Sequence, residues 1–150
     1  MERYFEIVND TYRKTKSNIT LPTRATKSSI AYDFYSPVDT VINPMQSVMI
    51  WTDVKAKFNT DEALLINVRS SMGKFPIMIA NTQGWIESDY YSNPDNDGNI
   101  GVRLFNLGTE PYFIKAGDRI AQGMFIKYLE ADNGNTTQER VGGFGSSGKW

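Results

Sequence analysis

Apolar and polar residues alternate in several short runs along the chain. RYFEIV (3–8), TVINP (40–44), SVMIWTDV (47–54) and ALLINV (63–68) are rich in β-branched and aromatic residues. PIMIA (76–80), NIGVRLFN (99–106), PYFIK (111–115) and IAQGMFIKYL (120–129) continue the series, with turn residues between them. Many short strands with regular turns predict an all-β sandwich, jelly roll or barrel. One or two turns of helix are predicted near SSMGKF (70–75), and no internal repeat is visible. SNPDNDGN (92–99) concentrates Asn, Pro, Asp and Gly and predicts a long, hairpin-like surface loop. From Glu130 the chain turns polar and ends in RVGGFGSSGKW (140–150), too glycine-rich to hold a core strand. The expected organisation is a β core over 1–133 and a mobile C-terminal arm over 134–150.

Composition narrows the chemistry. At 150 residues, 40% hydrophobic and 22% charged, the chain suits one globular domain with a real core. A net charge of −1 gives no bulk signal for nucleic acid or an anionic membrane. The longest near-apolar run, around PIMIA, is far short of a membrane span, and MERYFEIVND has no apolar signal-peptide core. With no cysteine the chain fits a reducing cytoplasm. The absence of histidine as well excludes Ser-His-Asp and Cys-His catalysis and the His/Cys zinc sites of nucleobase deaminases. Carboxylate, Tyr or Lys chemistry remains, with an oxygen-bound metal such as Mg²⁺.

Five stretches carry candidate chemistry, and each also has an ordinary structural explanation. VGGFGSSG (141–148), with Arg140 upstream, can wrap a phosphate chain in backbone N–H groups and stack Phe144 on a base; it can equally be a plain terminus. VRSSMGK (68–74) sets an arginine before two serines, suited to anionic oxygens or to a simple helix cap. GDRIAQ (117–122) reads by itself as a Gly-Asp turn entering a strand. IAYDFYSP (30–37) places Asp33 among apolar neighbours, where it needs a partner such as Arg119 or a hydrated cation. GWIESDYY (84–91) carries Glu87 and Asp89 at a hairpin or strand end, either a solvated edge or a source of general base.

Taken in order, these stretches resemble the five motifs of the trimeric dUTPases (deoxyuridine triphosphate nucleotidohydrolases), spread from about Leu21 to Gly148. LPTRATKSSIAYDFYS, RSS, NTQGWIESDY, GDRIAQ and GFGSSG stand in the family's order, the last two being the most specific. The compact chain and the insertion in motif three are similar to bacterial or bacteriophage members. The resemblance implies a β-jelly roll, a homotrimer with three shared active sites, and an arm closing over the nucleotide. It implies hydrolysis of dUTP to dUMP and pyrophosphate, water attacking the α-phosphorus while Mg²⁺ bridges triphosphate oxygens.

By the same resemblance, Asp33 holds waters of the Mg²⁺ shell and Arg119 organises it. Arg69, Ser70 and Ser71 contact the phosphates, and Gln122 holds the α-phosphate or a water beside it. Asn81 and the backbone of Gly84, Trp85 and Ile86 read uracil, while Tyr90 packs on deoxyribose and excludes a 2′-hydroxyl. Phe144 stacks on uracil, and Arg140, Gly145, Ser146 and Ser147 belong to the arm that binds the outer phosphates. Glu87 occupies the position where the family carries the aspartate that activates water. Glutamate has a similar intrinsic pKa, about 4.3 against 3.9, but is one methylene longer. Two alternatives stay open: a dUTP-binding regulatory module with weak catalysis, contacting a protein partner through 92–99, and a dCTP deaminase of the same fold.

Overall fold

The computed structural model describes residues 2–145. Eleven strands run through it, joined by short turns and three 3₁₀ segments. They are β1 (Tyr4–Ile7), β2 (Tyr32–Tyr35), β3 (Thr40–Ile42), β4 (Ser47–Trp51), β5 (Val54–Lys57), β6 (Glu62–Asn67), β7 (Ile77–Ile79), β8 (Gly84–Glu87), β9 (Gly101–Asn106), β10 (Tyr112–Ile114) and β11 (Arg119–Lys127). All pairings are antiparallel. The strands make a four-stranded sheet β2-β11-β6-β8, a three-stranded sheet β4-β9-β7, and the pairs β1-β5 and β3-β10. This is the expected all-β jelly roll. Phe34, Ile42, Ile50, Leu64, Leu104 and Ile120 form the centre of a single core.

Each run predicted as a strand contains one, and the predicted helix is a 3₁₀ turn, Ser70–Lys74, pinned by buried Met72. Three outcomes have physical causes. SVMIWTDV does not run straight through: it ends at Trp51, and β5 starts at Val54 after a reversal at Asp53. Asp53 has a left-handed φ of 58° and is fully buried. Its carboxylate accepts hydrogen bonds from the backbone N–H groups of Lys14 and Thr15, the Thr15 hydroxyl and Asn99 Nδ2. A short polar side chain tolerates that backbone region, and four donors remove the cost of burial.

Second, of the two forms open to GWIESDYY, hairpin or strand end, the strand end is found: β8 stops at Glu87, and β7 and β8 do not pair with each other. β7 pairs with β9 and β8 with β6, so the turn between them crosses from one sheet to the other. Third, the 92–99 segment is not a surface insertion. Asn93, Asn96, Asp97 and Asn99 are buried, and Ser92, Pro94 and Asp95 are its exposed residues. Asp97 ties it down: its carboxylate takes both the Lys55 ammonium, at 3.0 Å, and the Asn9 N–H, at 2.7 Å. Those contacts outweigh the penalty of burial and hold the Asp97 carboxyl below its ordinary pKa. Among the described residues no helix is long and apolar enough to cross a membrane.

Candidate active site

The motif residues gather in two places. The first lies on the four-stranded sheet. In the antiparallel register, Gln122 of β11 stands opposite Asp33 of β2 on one side and Asn67 of β6 on the other. Directly opposed residues point to the same face, so three polar side chains form one row. A β-bulge between Arg119 and Ala121 then decides where the arginine goes. Ile120 and Ala121 are both turned into the core, and Arg119 emerges on the face of Gln122. Without the extra residue, period-two alternation would put Arg119 on the opposite face from Gln122.

Asp33 is the centre of this cluster. It is 5% exposed, and its Oδ1 accepts from Arg69 Nε at 2.9 Å while Oδ2 accepts from Arg119 at 3.4 Å. Two guanidinium groups fix one carboxylate, and the carboxylate holds both cations in place. Thr23 clips the same strand through backbone hydrogen bonds to Asp33. Ser70 and Ser71 follow Arg69 at the exposed start of the 3₁₀ turn, which has no side-chain cap. A cavity of about 620 Å³ joins Asp33, Asn67, Arg69, Ser70, Gln83 and Gln122.

The second place is a pocket of about 740 Å³ where the two larger sheets diverge. β8 is the edge of one sheet and β7 the edge of the other, so each has a side without a strand neighbour. Asn81 and the Gly84–Trp85–Ile86 backbone line the pocket, together with Met49, Trp51 and Phe144. An edge strand offers unpaired N–H and C=O groups in a fixed row, the donor–acceptor pattern that a planar amide-like ring edge can meet. Glu87 follows Ile86 directly, its side chain 65% exposed.

Glycines shape this pocket by close approach. Gly101 stands opposite Trp51 in the ladder, and a Cβ there would lie 2.9 Å from both Trp51 and Met49. Met49, Trp51 and Gly101 were not singled out from the sequence. The signal was present: Met49 and Trp51 share one face of a period-two strand whose other face buries Ile50.

The described part of the arm lies against this second pocket. Phe144 packs edge-on against Trp51, at 5.9 Å between ring centres, and against Tyr90, at 6.1 Å. Gly143 N–H donates to Asp95. Arg140 spans Glu87 and Asp89, with Nε 2.7 Å from Asp89 Oδ1 and Nη2 bonded to Glu87. Partial burial opposes its charge, but the two carboxylates more than compensate and push the Arg140 pKa up. Arg140 therefore sits on the acids of motif three, because one charge-assisted hydrogen bond to each of two carboxylates is a strong local option. Ser146 and Ser147 lie outside the described residues.

No three acidic groups among the described residues converge on a metal-sized site. Asp33 has both oxygens engaged by arginines. With one carboxylate in this cluster, an oxygen-bound ion such as Mg²⁺ would have to draw most of its ligands from outside the protein.

Fold and site together define a class: a jelly-roll enzyme for nucleotides, with a cationic cluster on one sheet and an edge-strand pocket at another. The dUTPase family pattern matches residues 17–148, and the chain belongs to that dUTP-hydrolysing family. It is 35% identical to the deoxyuridine 5′-triphosphate nucleotidohydrolase of Lactococcus lactis, covering 97% of each chain. Its fold matches the crystal structure of the dUTPase from Streptococcus mutans with a TM-score of 0.75 and 33% identity, over 86% of this chain and 98% of that one. A point mutant of the dUTPase from phage phi11 of Staphylococcus aureus, whose structure coordinates a structural Mg(II) ion, superposes with a TM-score of 0.70 at 18% identity, over 92% of this chain and 98% of that one.

Proposed function

We propose that the chain hydrolyses dUTP to dUMP and pyrophosphate with Glu87 as general base, in sites shared between subunits of a homotrimer. The observation behind this reading is the separation of the motif residues within one chain. Arg69, Ser70, Arg119 and Gln122 make a phosphate-suited cluster around Asp33, while Glu87 stands beside the edge-strand pocket. A complete site needs both halves, and a second copy of the chain supplies the missing one.

In that reading uracil pairs with the free edge of Gly84–Ile86 and with Asn81, leaving no space for a 5-methyl group. Tyr90 forms the wall against deoxyribose, and Phe144 covers the base. Arg69, Ser70 and Ser71 hold the phosphates, with Ser70 near the bridge that breaks. Gln122 positions the α-phosphate or the attacking water. Glu87 accepts the water's proton. Asp33 would hold the waters of an Mg²⁺ ion bound with the triphosphate, and that ion would supply charge neutralisation for the departing pyrophosphate. Arg140, Gly145, Ser146 and Ser147 bind the outer phosphates. For this, Arg140 exchanges its carboxylate contacts for phosphate oxygens, an exchange of like hydrogen bonds. It also releases Glu87 to act as a base.

The test is pyrophosphate release from dUTP with Mg²⁺, for wild type, Glu87→Asp and Glu87→Gln, with dCTP, dTTP and UTP as controls. The expected result is turnover of dUTP alone and its loss in Glu87→Gln. A nearly inert wild type revived by Glu87→Asp would show instead a binding site with a misplaced catalyst. Ammonia release from dCTP would replace the reading with a deaminase.

A further inference from the structure

The buried 92–99 segment folds back onto one residue, Tyr90. Tyr90 closes the 3₁₀ turn Ser88–Tyr90 and is 6% exposed. Its hydroxyl donates to the Asn99 carbonyl at 2.7 Å and accepts from Asn96 Nδ2 at 2.8 Å. Its own carbonyl accepts from Asn93 Nδ2 at 2.8 Å. Both polar ends of the residue are thus held by the same eight-residue stretch.

The orientation of Asn96 is fixed by its other end. Asn96 Oδ1 accepts from Asn93 Nδ2 at 2.8 Å and from Gly98 N at 3.0 Å. Two donors on one side determine which atom of the amide is oxygen, so the NH₂ must face Tyr90. Gly98 makes the return possible. Its φ is +86°, and a Cβ would lie 2.9 Å from Ser92 N and 3.0 Å from the Tyr90 carbonyl oxygen. Lys55 and Asn9 anchor the far end through Asp97.

We infer that Asn96 is a positioning residue for sugar selection: it occupies the accepting side of the Tyr90 hydroxyl, so that Tyr90 meets the sugar as an apolar wall. This rests on the assignment of Tyr90 to deoxyribose made above. With its proton given to Asn99 and its acceptor side filled by Asn96, the phenol has no hydrogen bond to offer a 2′-hydroxyl. A ribonucleotide entering there loses water from that hydroxyl and gains no partner. Removing the Asn96 donor leaves the phenol oxygen able to accept from the 2′-hydroxyl, and the penalty on UTP falls.

The experiment measures kcat and KM for dUTP and UTP in wild type, Asn96→Ala, Asn96→Asp, Tyr90→Phe, Tyr90→Phe with Asn96→Ala, and Tyr90→Ala. Asn96→Asp keeps an acceptor for Asn93 and Gly98 and removes the donor, so it carries the test if Asn96→Ala does not fold. An apolar site rejects an added hydroxyl by roughly a hundredfold, so a drop of about tenfold in the dUTP/UTP ratio of kcat/KM is expected for either Asn96 variant. The gain should appear in KM for UTP, with kcat on dUTP held within a few-fold. In the Tyr90→Phe background Asn96→Ala should add nothing. An unchanged ratio in both Asn96 variants, or an equal drop in the Tyr90→Phe background, overturns the inference. If Tyr90→Ala also keeps the wild-type ratio, the failure lies instead with Tyr90 as the sugar wall.

Discussion

Asp33 shows how much one side chain organises. Its two oxygens align Arg69 and Arg119, which come from different strands' ends and would otherwise repel. Asp33→Asn keeps the shape but halves the acceptor capacity and removes the charge. We expect a loss of about 2 kcal/mol in stability, in the range for a buried group stripped of its charged partner. A larger fall is expected in kcat for dUTP. Thermal melts and pyrophosphate release on the same preparation check both. Glu87 belongs to the same scale: its exposed carboxylate is held by Arg140, so under the proposed function Arg140→Ala frees Glu87 but removes a contact to the outer phosphates. The expected outcome is a KM for dUTP raised about tenfold, the loss of one charge-assisted contact. An unchanged KM would show that Arg140 does not move from Glu87 to the substrate.

At the scale of elements, the 92–99 segment and the β11 bulge are built features whose purpose is positioning. Gly98→Ala forces a side chain into a left-handed backbone against main-chain atoms at 2.9 to 3.0 Å, which side-chain rotation cannot relieve. A destabilisation of more than about 1 kcal/mol is expected, read as a lower urea midpoint at unchanged slope. Asp97 gives the segment a pH signature. Its pKa is depressed in the folded state, so it binds a proton less readily there than in the unfolded chain. Its contribution is therefore present above the unfolded carboxylate pKa and disappears as pH falls through the lower folded value. Asp97→Asn should be less stable than wild type at neutral pH, with the gap closing under acid; urea melts from pH 7 downward measure it. A gap that stays constant would mean that the Lys55 contact carries no linkage.

At the scale of the whole molecule, the gathering of the motif residues in two separate cavities makes an assembly prediction. Asp33→Ala disables the cationic cluster and Glu87→Gln the pocket side, and each variant alone should be nearly inactive. Mixed subunits of the two should regain part of the wild-type rate, because some sites then draw an intact half from each chain. Mixtures no more active than the separate variants would place both halves of every site in one chain. Sedimentation of a stable monomer at micromolar concentration would also remove the shared site.

The sequence alone determined the all-β class, since period-two alternation needs only local burial on one face. It also narrowed the chemistry that can occur, because a chain without histidine or cysteine leaves carboxylate, Tyr or Lys groups for proton transfer. The motif residues were legible by type and order, and the family they pointed to is the one the chain belongs to. Tertiary structure decided what alternation cannot encode. A bulge turned Arg119 toward Asp33, and a left-handed Asp53 ended a strand that the pattern would have continued. Long-range partners did the rest. Lys55, 42 residues from Asp97 along the chain, makes an acid-rich segment foldable into the interior, and composition alone reads that segment as surface. Burial of polar groups depends on partners brought together in space, and local sequence carries no record of them.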